Sequence, residues 1–221
     1  MSHEVGLLKW ITCVVASGRE RQFATAQSKW SVISSAPGLV GQFGGWDAKR
    51  AGIALIASLW GDRDSYTHFM NEIHDAVTDS NRQSGTYSDI AVEFFRPILS
   101  MPGQYQDLVT SVPHGKFLRA ADCRVKEERT QHFLEVQTAV WIPAMSRSRG
   151  MLGGDFHVDE ADESHFLVVT LWDSEENHEK YSRESVPKLR RQADVSKDLV
   201  GLIGSAVALE NAWKVMGVTP K

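Results

Sequence analysis

No run in this sequence approaches the eighteen or so uncharged apolar residues that a membrane-spanning helix requires, so no span is expected. Cysteine is nearly absent. Cys13 and Cys123 cannot frame a disulfide scaffold, and both lie in strand-like runs, which reads as buried, reduced thiols in a cytoplasmic protein. Basic excess is missing too: 24 Lys+Arg stand against 28 Asp+Glu for a net charge of -4. The densest basic stretch, Lys188-Leu189-Arg190-Arg191, sits among acids, so no field is available to hold a phosphate backbone, and nucleic acid is not an expected partner. The chain has no HExxH, P-loop, nucleophile elbow or CxxC pair, which removes the usual zinc-peptidase, nucleotide-hydrolase, esterase and thiol-redox chemistries. Leu7 to Gly18 has the length of a signal-peptide core, but its counterpart Phe117 to Val125 lies mid-chain where no signal acts, so the first is read as a strand.

What is present is a duplication. Cys13/Cys123, Phe23/Phe133 and Gln27/Gln137 stand 110 residues apart, Trp30/Trp141 111, and Gly38/Gly150, Gly41/Gly153, Leu59/Leu171 and Trp60/Trp172 112. A period of that length exceeds the roughly 20 to 50 residues of a solenoid unit, so each copy is a domain-sized unit. In the first copy, Leu7 to Val15 is rich in branched and aromatic residues and predicts a strand. Phe23, Ala26, Trp30 and Ile33 make the apolar stripe of a helix that ends before Pro37-Gly38. Leu39 to Trp46 and Ile53 to Trp60 predict an antiparallel hairpin. Asp62 or Asp64 is placed to cap a second helix, on which Tyr66, Phe69, Met70, Ile73 and Val77 share one face. Ile90 to Ile98 supplies a fourth strand.

The order is β-α-β-β-α-β, the ferredoxin-like arrangement. The second copy repeats it from Phe117, with Pro187 expected to break its second helix and a last strand near Ser205 to Val215. Pro97, Pro102 and Pro113 with Gly103 mark a linker, giving repeat one at 1–100, a linker at 101–114 and repeat two at 115–221. A ferredoxin-like unit covers one sheet face with helices and leaves the other apolar and bare, so the fold expected is α+β, two tandem repeats packed sheet to sheet as an intramolecular barrel. That makes the chain an internal pseudo-dimer, with further homodimerisation left open.

Lys9-Trp10-Ile11-Thr12-Cys13, Gly38 to Trp46, Ser58-Leu59-Trp60, and Tyr66 with Phe69 to Asp75 resemble the bacterial YdbC-like family over about the first half of the chain. Element order and the strand-end tryptophan are similar to those of the dimeric α/β-barrel superfamily, which includes antibiotic biosynthesis monooxygenases, haem-degrading monooxygenases, muconolactone isomerases and stress-responsive proteins. The resemblance implies a small apolar or aromatic ligand and oxygenase chemistry that needs no cofactor, because an electron-rich substrate can itself reduce oxygen. It also leaves open a non-catalytic stress or interaction protein, and haem binding. For haem, the helical histidine of those relatives is matched by His74, whereas Thr12 and Cys13 stand where their strand asparagine lies and Phe69 stands nearest their tryptophan.

The candidate pocket is aromatic, with Trp10, Trp30, Phe43, Trp46 and Trp60 as lining and Gln27, Gln42 and His74 as its polar groups, His74 being the candidate catalytic residue. The alternative is that these aromatics are core, as the repeated pair Trp60/Trp172 suggests. Val186 stands where a shift of 112 matches His74, so no second equivalent site is expected, and whether only one repeat carries a site is left open. Gly41, Gly44 and Gly45 lack a strand-to-helix context and are read as bulge or close-packing positions rather than a phosphate cradle. Asp155, His157 and Asp159 alternate onto one face as an ion site would, but beside Glu160, Asp162 and Glu163 they read as a solvated acidic turn, and no metal is expected.

Overall fold

In a computed structural model the structure describes residues 5–218. The first repeat runs β1 (Leu7–Val15), α1 (Glu20–Ser28) with a 3₁₀ extension Lys29–Ser35, β2 (Leu39–Asp47), β3 (Ile53–Trp60), α2 (Arg63–Glu72), α3 (His74–Asn81) and β4 (Tyr87–Pro102). After the short α4 (Leu108–Ser111) the second repeat runs β5 (Phe117–Val125), α5 (Thr130–Val136), a π turn Gln137–Trp141, α6 (Ile142–Ser146), β6 (Met151–Asp159), β7 (His165–Trp172), α7 (Glu175–Glu184), α8 (Val186–Gln192), α9 (Val195–Asp198) and β8 (Leu199–Leu209). A 3₁₀ turn Asn211–Trp213 and β9 (Val215–Met216) follow. The predicted ferredoxin-like order is therefore present twice.

The chain divides into two compact units, 5–94 with 207–218, and 95–206. In the first, the strands lie in the order β4-β1-β3-β2, and the tail of β8 and β9 pair with β2. In the second they lie as β8-β5-β7-β6, with the tail of β4 on β6. Both are antiparallel. The units thus exchange strand ends relative to the repeat boundaries, and the segment expected as linker holds α4, capped where the Asp107 carboxylate accepts from Thr110 N–H at 2.8 Å.

Local chemistry explains the elements and the departures from expectation. Asp62, rather than Asp64, caps α2 by accepting from Ser65 N–H at 2.7 Å, and Ser174 does the same for α7. The long second helix is broken in both copies at matching positions: Ile73 leaves helical geometry at φ -124, and Ser185 at φ -103 precedes Pro187. β4 runs further than predicted because Pro97 sits at a register shift in the β4–β6 pair, where a missing N–H is tolerated. The last strand lies earlier than predicted, Leu199–Leu209, and Trp213 instead turns inward against Phe23 and Trp46. The glycines behave as expected: β2 shifts register between Leu39 and Gly41, β6 between Met151 and Gly153, and a Cβ on Gly45 would collide with the Ala208 carbonyl oxygen.

The acidic-turn reading is corrected in part. Only 159–163 form the solvated turn; Asp155 and His157 are buried on β6, because alternate residues of that strand all face packed layers. Burial, with the Asp107 charge nearby, pushes the Asp155 carboxyl up to about 7, while Ser100 and the Leu108 N–H pull against it. Burial alone pushes His157 down to about 4, so it is neutral, with Nδ1–H donated to the Leu167 carbonyl at 3.2 Å. The two groups act oppositely on stability. Between pH 4 and 7 native Asp155 holds a proton that the unfolded chain has lost, so stability falls as pH rises; native His157 lacks one the unfolded chain holds below about 6.5, so stability rises. Asp155→Asn should therefore raise the Tm at pH 8 relative to wild type and leave a Tm that climbs from pH 4.5 to 6.5, read by thermal melts across pH.

Candidate functional site

Alternation along three paired strands sorts the first unit's sheet into two faces. On the face toward the helices, Lys9 of β1 lies opposite Ser58 of β3, which lies opposite Gln42 of β2. On the other face the same strands place Trp10, Ala57 and Phe43 in a row. Over the first row the helices leave a partly open cavity of about 130 Å³. Its walls are Trp30 and Ile33 after α1, Trp60 at the end of β3, Tyr66 and Phe69 of α2, and His74 and Thr78 of α3, with Ile11, Cys13 and Ile56 on the floor.

Five of the eight expected site residues come together here: Gln27, Trp30, Gln42, Trp60 and His74. Trp10 and Phe43 do not, because strand alternation turns them, buried, to the opposite face. Trp46 is on the helix side but beyond the cavity, its ring tilted against Phe23 at 5.7 Å and Trp213 at 5.5 Å. Sequence reasoning missed Lys9, Ser58, Tyr66, Thr78 and Gln83. The period-two pattern that placed Ile11 and Cys13 on one face would have found Lys9; nothing local marks Gln83.

Gln83 ties one wall together. It follows Arg82, whose left-handed φ of 52 reverses the chain after α3. From there its Oε1 accepts from Trp30 Nε1–H at 2.6 Å and its amide donates to Gln27 Oε1 at 2.8 Å. Trp60 Nε1–H donates to Ser58 Oγ at 3.1 Å and its ring lies 4.9 Å from Phe69 and 5.7 Å from Tyr66. His74 stands between the Trp30 and Phe69 rings at 5.8 and 5.9 Å, its Nδ1 2.9 Å from Asp75 Oδ1. Thr78 donates its hydroxyl to the His74 carbonyl at 3.0 Å and so leaves the Nε2 lone pair available at 3.5 Å.

Charge in the cavity is one-sided. Burial pushes the Lys9 amine down to about 8 and the Cys13 thiol up to about 12, so at neutral pH the first remains mainly a cation and the second a neutral thiol with no nucleophilic role. The Gln42 Nε2 is buried and has no hydrogen-bond partner. A haem does not fit this cavity: ligand pockets of even drug-like size take roughly 300 Å³ or more, and the cavity has about 130 Å³.

The second unit shows what becomes of the same place without these side chains. Arg119, Ala121, Cys123, Gln137, Trp141, Val168 and Leu202 match Lys9, Ile11, Cys13, Gln27, Trp30, Ile56 and Ile90, yet the space is about 40 Å³. Arg190 and Met145 fill it, Val186 stands in place of His74, and Gly154 in place of Gln42.

Residues 7–95 match the family described as Domain of unknown function (DUF4937), and residues 117–186 match Antibiotic biosynthesis monooxygenase. The protein YdbC of Bacillus subtilis (strain 168) is 34% identical over 91 residues, 40% of this chain and 76% of its own length. Among solved structures, a candidate monooxygenase (FN1347) of Fusobacterium nucleatum has a TM-score of 0.74 at 11% identity, covering 94% of each chain. An anthrone oxidase-like protein has a TM-score of 0.69 at 9% identity, covering 95% of this chain and 94% of its own. At such identities the likeness shows the fold, and it extends along nearly the whole chain.

Gln83→Leu should leave Trp30 Nε1 and Gln27 Oε1 without partners, lowering stability by roughly 2 kcal/mol in urea unfolding and shifting tryptophan emission. Cys13 and Cys123, both pushed up to about 12, should react with Ellman's reagent at pH 8 only once the chain is unfolded.

Proposed function

Because the chain belongs to the YdbC-like family of the antibiotic biosynthesis monooxygenase superfamily, we propose that its first repeat binds a small aromatic molecule and oxidises it with molecular oxygen, without a cofactor. The supporting observation is the aromatic cavity of about 130 Å³ with His74 on its wall, set against about 40 Å³ at the matching place in the second repeat. Trp30, Trp60, Tyr66 and Phe69 offer faces and edges to a planar ring and exclude water from it. An apolar cavity of roughly 150 Å³ in another protein holds one benzene ring. A ligand of one ring, or of two with the second toward the opening, suits this space, and a larger polycycle does not.

In this reading the substrate supplies the electrons. His74 Nε2, left free because Nδ1 pairs with Asp75, takes a phenolic proton. The electron-rich ring then reduces oxygen; one oxygen atom stays on the ring as a quinone carbonyl and the other leaves as water with the two hydrogens the substrate has lost. The competing expectation, that the aromatics are only core, suits the second repeat, where Trp141, Met145 and Arg190 occupy the space.

Titration with 1-naphthol should quench the tryptophan emission saturably, with oxygen consumption following in an electrode cell. His74→Ala should slow oxygen uptake about 100-fold and leave the quench within about threefold. Saturable quenching without oxygen uptake would reduce the protein to a binder; absence of quenching by any one- or two-ring aromatic would overturn the reading.

A further inference from the structure

The cavity's floor carries more hydrogen-bond donors than its walls can use. Lys9, Ser58 and Gln42 stand side by side on three neighbouring strands, Lys9 opposite Ser58 and Ser58 opposite Gln42. Each has a donor to spare. Gln42 is only 5% exposed, and its Nε2 has no partner. Ser58 Oγ already accepts from Trp60 Nε1–H, so its own proton is free to point elsewhere. Among the described residues the Lys9 ammonium meets no carboxylate; its recorded contact is the Tyr66 ring, with Nζ 5.0 Å from the centroid. The cavity lining contains no Asp or Glu.

A half-buried cation and a buried amide without acceptors are costly arrangements unless something arrives to accept from them. Spent donors would be the rule in a purely structural core. The second repeat differs at this row. There the row is Arg119, Thr170 and Gly154, so the amide is absent, and the space beside it is about 40 Å³.

We propose that the Lys9–Ser58–Gln42 row is an anion seat that takes the carboxylate of an aromatic acid, so that the ligand of this cavity carries a negatively charged carboxylate at one end and a planar ring among Trp30, Trp60 and Phe69 at the other. The inference rests on the aromatic-ligand reading above and narrows it. An ammonium and an amide lie on either side of the serine, a spacing that serves the two oxygens of a carboxylate better than the single oxygen of a phenolate. The cation–π contact with Tyr66 holds the ammonium over the floor. Burial's pull on Lys9, down to about 8, adds a pH signature: an arriving carboxylate raises the amine's proton affinity, so binding above pH 8 takes up a proton.

The test is fluorescence titration and calorimetry with 1-naphthoate and its neutral isostere 1-naphthamide. Wild type at pH 7 should bind the carboxylate at least about tenfold more tightly than the amide, the scale of one charge-assisted hydrogen bond. Lys9→Met should lose that preference while retaining the amide, and Gln42→Leu should lose part of it. In wild-type protein, which needs no variant to fold, naphthoate affinity should fall between pH 8 and 10 with proton uptake measurable by buffer-dependent heats, whereas naphthamide affinity should stay level. Equal binding of the two isosteres, or a preference that survives Lys9→Met, overturns the anion seat and leaves the aromatic cavity standing. Failure of naphthoate, naphthamide and 1-naphthol alike overturns the aromatic reading, and the anion seat with it.

Discussion

The antiparallel register of β1, β3 and β2 is the constraint on which the site depends. Pairing Lys9 with Ser58 and Ser58 with Gln42 puts three polar groups beneath the helices, while one residue along each strand the same register places Trp10, Ala57 and Phe43 on the opposite face. A slip of one residue would exchange the two sets. The bulge between Leu39 and Gly41 and the close approach of Gly44 to the Leu55 carbonyl oxygen pin β2 against β3, so glycines help decide which side chains face the cavity.

The helices contribute by where they stop. A single unbroken helix through Tyr66 and Val77 would carry His74 round at a fixed 100 degrees per residue; the break at Ile73 restarts the helix at His74 and seats its ring between Trp30 and Phe69. The left-handed turn at Arg82 then returns the chain so that Gln83 can bond two residues more than fifty positions earlier. Asp194 takes the same left-handed conformation at the matching point of the second repeat, where the following Val195 has no amide to offer. The backbone device is duplicated and its polar use is not.

How much of this could be read from the residues varied with the range of the interaction. Strands such as Leu7–Val15 and Phe117–Val125 were legible to the residue because alternation and repeat agree there. That His74 has no counterpart in the second copy was legible from Val186 across the duplication, whereas whether one repeat alone carries a pocket was not. Trp10 and Phe43 were misplaced although the period-two pattern contained the answer, because a tryptophan in a strand attracts a binding role before its face is counted. Lys9 was overlooked for the converse reason: lysine reads as a solvent residue, and only packing shows it under a roof of aromatics. Trp46 and Gln83 depend on partners distant in sequence, Trp213 and Trp30, which no local pattern foretells. The break at Ile73 had a signal, but it lay in the other repeat, at Pro187.

The unequal cavities carry a consequence for symmetry. When two identical chains associate, every substitution appears twice, and a side chain that closes one pocket closes its twin. Joining the copies in one polypeptide lifts that coupling: Arg190 and Met145 can fill the second repeat without touching Thr78 and Ile33 in the first. The chain thereby carries two unequal cavities on one duplicated plan, about 130 Å³ in the first repeat and about 40 Å³ in the second, and each is free to change without the other.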